Sequence, residues 1–160
     1  MEGLLPAARD VAEKLTARGQ TVAVAESSAG GLVAAALLAL PGASAYFLGG
    51  AVIYTRAARA GLLGVTDADM EGLRPSTEPY ALLLAGRVRE RLGADWGLAE
   101  TGAAGPDGNR YGDAAGHACI AVVGPGIERV TTLDTGVSGR AQNMRAFATG
   151  LLRLTSEALE

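Results

Sequence analysis

Cysteine, histidine and lysine each occur once, as Cys119, His117 and Lys14. A single cysteine excludes an internal disulfide framework and any multi-cysteine metal site. A single histidine means that Ser-His or Cys-His catalysis has to use His117, and a Ser-Lys arrangement has to use Lys14. Aromatic residues make up only 4% of a chain that is 49% hydrophobic, so Leu, Val and Ala must fill the core. The net charge is −3 and the basic residues are scattered. This excludes a basic stripe for nucleic acid and a membrane-binding patch. No signal peptide is legible, which sets the expectation of a cytoplasmic protein. From Ser27 to Thr55 no residue is charged, but Pro41-Gly42 divides the run. It reads as a buried helix followed by a buried strand, not as a membrane span.

Glycine, by contrast, is abundant: 23 of 160 residues, clustered in loops without a fixed period. That fits one globular domain, 1–160, with tight turns. Apolar spacing predicts a helix over 3–18 that stops at Gly19, and a buried strand over Thr21–Glu26. A helix over Gly30–Leu40 follows, then a strand over Tyr46–Thr55 in which Gly49-Gly50 marks a bulge or a close backbone approach. Helices over Arg56–Leu63 and Glu78–Leu92 come next. A strand over Trp96–Glu100 leads into a glycine-rich loop, TGAAGPDGNRYGDAA. Strands over His117–Val123 and Glu128–Leu133 are joined by the tight turn Gly124-Pro125-Gly126, and a last helix starts at Arg140. Alternating strands and helices predict a three-layer α/β/α sandwich with a mixed, mostly parallel sheet of about five strands, the last two antiparallel.

Two loops carry chemistry. The turn after the first strand, Ser27–Gly31, offers backbone N–H groups at a helix start, a setting that favours an anion. Ser27 there is either an exposed nucleophile or a helix cap. The loop from Thr101 to Ala115 also leaves a strand's carboxyl end, where open α/β sheets bind ligands, so the two loops can share a crevice. The alternative is an ordinary surface loop. His117 opens a strand directly after that loop and is either a structural histidine or part of the crevice. Cys119 reads as core and Lys14 as a solvated residue on the polar side of the first helix. Asp107 and Asp113 lack a ligand cluster, so neither a metal nor a cofactor is expected.

AESSAGG at 25–31, LPGASAYFLGGAVIYTRAARAGLLGV at 40–65 and TGAAGPDG at 101–108 together resemble the motifs of the CinA C-terminal domain family. That family includes the bacterial nicotinamide mononucleotide deamidases. The resemblance implies hydrolysis of nicotinamide mononucleotide to nicotinate mononucleotide and ammonia. It implies Ser27 as nucleophile and Tyr54 as its assistant. It also implies a pyridine-nucleotide pocket in which Ala29, Gly30, Gly31, Thr101, Gly102 and Gly105 line the substrate, with Arg59 and Arg140 as phosphate candidates. Backbone N–H groups of the turn after Ser27 would hold the oxyanion. Together with the apolar content, the resemblance points to a homodimer.

The family's lysine is Arg59 here, its Thr is Ala29, and NRYGDAAGH at 109–117 is not the usual form of that loop. A desolvated lysine can act as a base, whereas a guanidinium stays protonated. His117 is the candidate replacement base, which requires it within about 7 Å of Ser27 Oγ, the reach of one bridging water. Two other readings stand beside the amidohydrolase. One is a nucleotide-binding protein that has lost its base. The other is a structural subunit for a partner domain, since family members are often fused to a larger N-terminal domain.

Overall fold

The computed structural model describes residues Met1–Glu160. After a single 3₁₀ turn at Glu2–Leu4 come α1 (Leu5–Arg18), β1 (Val22–Glu26), α2 (Leu32–Leu38), β2 (Phe47–Val52) and α3 (Arg56–Leu63). There follow α4 (Glu78–Leu92), β3 (Trp96–Ala103), β4 (His117–Gly124), β5 (Ile127–Asp134) and α5 (Arg140–Ala158). The five strands form one sheet in the order β2-β1-β3-β4-β5. β1 runs parallel to both β2 and β3, and β4 is antiparallel to both β3 and β5. The sheet is mixed, and four of its strands share a direction. The antiparallel β3–β4 pair adds to the β4–β5 hairpin expected from the sequence. Its cause is the connection: a parallel return needs a crossover, usually helical, and the glycine-rich loop carries no helix.

Alternation along each strand sends side chains to two cores. Val22, Val24, Trp96, Leu98, Ile120 and Val122 face α1, α2 and α5. Ala23, Ala25, Ala99, Cys119, Ala121 and Val123 face α3 and α4. The second face is built from small residues, so α4 comes very close. A Cβ on Gly97 would stand 2.0 Å from the Ala85 carbonyl oxygen. Lys14 is not simply solvated. Its ammonium donates to Ser156 Oγ at 2.7 Å and to the Ser156 carbonyl at 3.0 Å, tying α1 to α5.

Other element ends also differ from the sequence expectation. Gly30 and Gly31 have φ of 69° and 95°, so α2 starts only at Leu32. β2 stops at Val52 because the chain turns to α3, where Thr55 Oγ1 accepts from Ala58 N–H at 3.1 Å. Val22 and Ala23 pair with Phe47 and Gly49, which leaves Leu48 as a bulge. A Cβ on Gly50 would lie 3.2 Å from the Ala34 Cβ, so that glycine also marks a close approach.

Gly97→Ala is expected to destabilise the domain by about 3 kcal/mol, the upper part of the usual overpacking cost, because the atom it meets is backbone. Urea denaturation of the two proteins measures this directly.

Candidate active site

The chain leaves β1 at Glu26, turns through Ser27–Gly31, and enters α2. β3 runs alongside and pairs Glu100 with Glu26. Both glutamates are buried in the sheet face toward α2 and α5. Glu26 Oε1 accepts from Val33 N–H at 2.9 Å and Oε2 from Ala34 N–H at 3.0 Å. Glu100 Oε2 accepts from Ser27 N–H at 3.1 Å and Ala29 N–H at 2.7 Å, and Oε1 accepts from the Ser28 hydroxyl. The anion that the turn attracts is therefore the protein's own pair of carboxylates. Burial pushes Glu100 up to about 7, against the pull of the Ser28, Ala29 and Ser27 hydrogen bonds and with a further push from the Glu26 charge. Burial raises Glu26 as well, although amides of Ala34, Val33 and Gly31 hold it.

This changes the donor expectation for the turn. The N–H groups of Ser27 and Ala29 are taken by Glu100, and Gly30 N–H donates to the Ser27 carbonyl at 3.2 Å. The Ser28 N–H and the Ser27 hydroxyl have no hydrogen-bond partner within the chain. Ser27 is half-buried and lines a cavity of about 460 Å³ with Tyr54, Arg59, Ser76, Thr101 and Tyr111. An adjoining cavity of about 280 Å³ is walled by Ser28, the 102–109 loop and Arg140. Tyr54, Gly102 and Asn109 border both. A separate cavity of about 500 Å³, between α1 and the α2–β2 connection, touches none of these residues.

Tyr54 is 60% exposed, and its hydroxyl oxygen accepts from Arg140 Nη2 at 3.3 Å. Arg140 also donates to the Gly105 carbonyl at 2.8 Å, so it spans the mouth from Tyr54 to the loop. Arg59 lies over the Tyr80 ring, 5.7 Å from its centroid, and donates to the Tyr80 hydroxyl at 3.5 Å. Thr101 is buried, and its Oγ1 accepts from Ser76 N–H at 3.2 Å. Gly102 borders the crevice where a Cβ would stand 2.4 Å from the His117 carbonyl oxygen. Gly30 is exposed at the turn, whereas Gly31 lies against Val52. Ala29 is fully buried against Ala104, Ala118 and Phe147, which corrects its assignment as a substrate contact: its side chain is core.

His117 is the second correction. Its Nε2 lies 3.0 Å from the Ser76 carbonyl oxygen and its Nδ1 lies 3.1 Å from Asp134 Oδ1. Both ring nitrogens are thus turned toward protein oxygens outside the crevice. His117 borders neither cavity of the crevice, so it does not stand beside Ser27 as the replacement base. It is a brace between β5 and the loop before α4.

Several groups at this site were not singled out from the sequence. Ser76 holds a left-handed φ of 61° while joining His117 to Thr101. Arg74 makes a two-bond pair with Asp113 at 2.7 and 3.0 Å, and these bonds are the main reason Asp113 is held down at about 2. That pair fixes the loop that brings Tyr111 to the cavity. Asn143, fully buried on α5, donates to the carbonyls of Ala104 and Val137 at 2.8 and 2.9 Å. Glu100 had a legible signal, a lone acid within the apolar run WGLAETGA. No group of three or more His, Cys, Asp or Glu side chains is arranged to hold a metal ion.

A three-layer α/β/α domain that presents a serine turn from one parallel strand beside a glycine-rich loop from the next defines a class of small pocket-bearing domains. The chain belongs to the CinA C-terminal domain family, whose model matches residues 5–159. A CinA-like protein of Gloeobacter violaceus is 42% identical over 135 residues, covering 84% of this chain and 32% of that protein. A CinA-like protein of Anaeromyxobacter sp. (strain K) is 41% identical over 146 residues, covering 90% of this chain and 36% of that protein. The chain thus spans about a third of the length of these curated relatives. Among solved structures, the competence/damage inducible protein CihA from Agrobacterium tumefaciens is similar with a TM-score of 0.89 and 29% identity, over 98% of this chain and 94% of that one. A competence or damage-inducible protein from Enterobacter asburiae is similar with a TM-score of 0.89 and 28% identity, over 98% of each chain.

Burial of Glu100 also makes stability depend on pH. Its folded value of about 7 is above the ordinary 4.5, so between those values the folded state holds a proton that the unfolded state releases. Its contribution is full below pH 4.5 and is lost as pH rises through about 7. Glu100→Gln carries no such proton. The stability of the wild type relative to this variant is expected to fall between pH 5 and pH 8, as read by urea midpoints of both proteins at each pH.

Proposed function

We propose that this domain hydrolyses the amide of a pyridine nucleotide, with nicotinamide mononucleotide and water giving nicotinate mononucleotide and ammonia. The observation that carries the reading is the Ser27 hydroxyl, unclaimed by any protein group and facing a crevice of nucleotide size. In this reaction Ser27 Oγ bonds to the amide carbon and the C–N bond breaks, releasing ammonia. Water then hydrolyses the acyl-serine. The unclaimed Ser28 N–H, on the residue after the nucleophile, is the turn's donor for the oxyanion. Tyr54 is the group in the crevice able to relay the serine proton, its oxygen already hydrogen-bonded by Arg140. Arg59 and Arg140 supply positive charge for the phosphate, and Tyr111 offers a ring face for the base. We further propose a cytoplasmic homodimer, in keeping with the apolar surface at Leu48 and Val52 on the outer strand.

Arg59 in place of a lysine favours a second reading, a protein that binds the nucleotide without turning it over. Ammonia release and calorimetric binding of nicotinamide mononucleotide separate the two. Ser27→Ala is expected to lower ammonia release by at least about 10³-fold with binding retained. Tyr54→Phe is expected to lower it by about 10²-fold, the range of a general acid–base contribution. Saturable binding by wild type with no ammonia at any pH would establish the second reading.

A further inference from the structure

Glu100 has no part in the reaction as written, yet it is fully buried beneath the residues that would perform it. Its carboxylate takes donors from three consecutive residues: the amides of Ser27 and Ala29 on Oε2, and the hydroxyl of Ser28 on Oε1. These bonds claim the groups of the turn that point into the sheet. They leave out the Ser27 hydroxyl and the Ser28 N–H, the two groups the crevice needs. We propose that Glu100 is the positioning residue of the site: ionised, it locks the Ser27–Ala29 turn in its reactive geometry, and protonated, it releases it.

The release has a defined atom. Amide N–H groups cannot accept, so a proton on Oε2 would face two donors; the proton must go on Oε1. The Ser28 hydroxyl then has to rotate and find another acceptor. It is 4% exposed and makes no hydrogen bond except the one to Glu100. Protonation therefore reverses this bond, with Oε1–H donating to Ser28 Oγ, and leaves the Ser28 hydroxyl proton without an acceptor. It also removes the charge that strengthens the bonds from the Ser27 and Ala29 amides, so the turn loosens. Glu26 is the titratable group that faces Glu100, from the adjacent strand. The 27–31 turn and α2 carry no charge, β4 opposes Glu100 with Ile120, and the charged residues of α5 (Arg140, Arg145, Arg153 and Glu157) are all exposed. The raised value of Glu100 puts the transition near neutral pH.

The proposal rests on Ser27 as the reacting hydroxyl, so its test uses a reagent independent of the natural substrate. A small alkyl fluorophosphonate reacts by forming an Oγ–P bond and breaking P–F, with fluoride leaving and the serine proton passing to solvent. Labelling of the full chain is followed by peptide mass spectrometry from pH 5.5 to 8.5. In wild type the adduct should sit on Ser27, and its rate should step upward through about pH 7. Glu100→Gln, whose amide NH₂ imitates the protonated Oε1, should label about 10²-fold more slowly above the step and show no step, as expected for a misplaced nucleophile. Ser28→Ala removes a hydrogen bond that favours the ionised form, so its step should move to higher pH. This variant carries the test if Glu100→Gln fails to fold. An adduct on Ser28, a Ser28→Ala step that does not move, a Glu100→Gln profile equal to wild type, or no labelling at any pH would each overturn the proposal. Labelling that follows the expected profile without ammonia release from nicotinamide mononucleotide would retain it and remove the amidase reading.

Discussion

The site is organised around two glutamates that lie side by side across β1 and β3, both buried and both turned to the same face of the sheet. Taking a carboxylate out of water is costly unless donors replace the solvent. Here the donors are the backbone groups of the turn and of the first residues of α2. The need runs both ways. The carboxylates require those N–H groups, and the N–H groups at a helix start require acceptors. The shape of the serine turn follows from this mutual satisfaction, because shifting either strand by one residue would strand a charge in the core.

The rest of the crevice is assembled from parts with independent supports. Arg140 joins Tyr54 to the loop, Asn143 fastens the same loop to α5, and Ser76 hangs between Thr101 and His117. None of these shares a hydrogen bond with Glu26 or Glu100. The side-chain bonds that hold the walls are thus distinct from those that hold the two carboxylates, although the backbone joins them, Ile53 N–H donating to the Glu26 carbonyl at 2.8 Å.

Much of the fold was legible because its signals are local. Both ends of α3 and α4 follow from the sequence, since each begins after a threonine and closes on a glycine, Gly64 or Gly93, in the left-handed conformation. The expected helix over Gly30–Leu40 exceeds α2 at both ends: the positive φ of Gly30 and Gly31 delays its start to Leu32, and it stops at Leu38, ahead of Pro41. The location of the site was legible for a similar reason: Ser27, Tyr54 and Thr101 all lie just past or near strand ends. What was not legible is partnership across the chain. His117 meets residues 17 and 41 positions away, and no local pattern says that both would be acceptors. Glu100 was visible as an acid in an apolar strand, but its partners lie 71 to 73 residues earlier.

The Leu48 bulge has a bearing on how these molecules behave in a crowd. β2 has a neighbour on one side only, and an open strand is a template on which another chain can extend the sheet. Leu48 and Val52, each nearly half exposed, would make such growth adhesive. The extra residue bends the strand and disrupts its regular ladder near its start, where an incoming strand would have to match it. A chain so short of charge along this segment has no lysine there to repel aggregation, and the irregular backbone serves in its place.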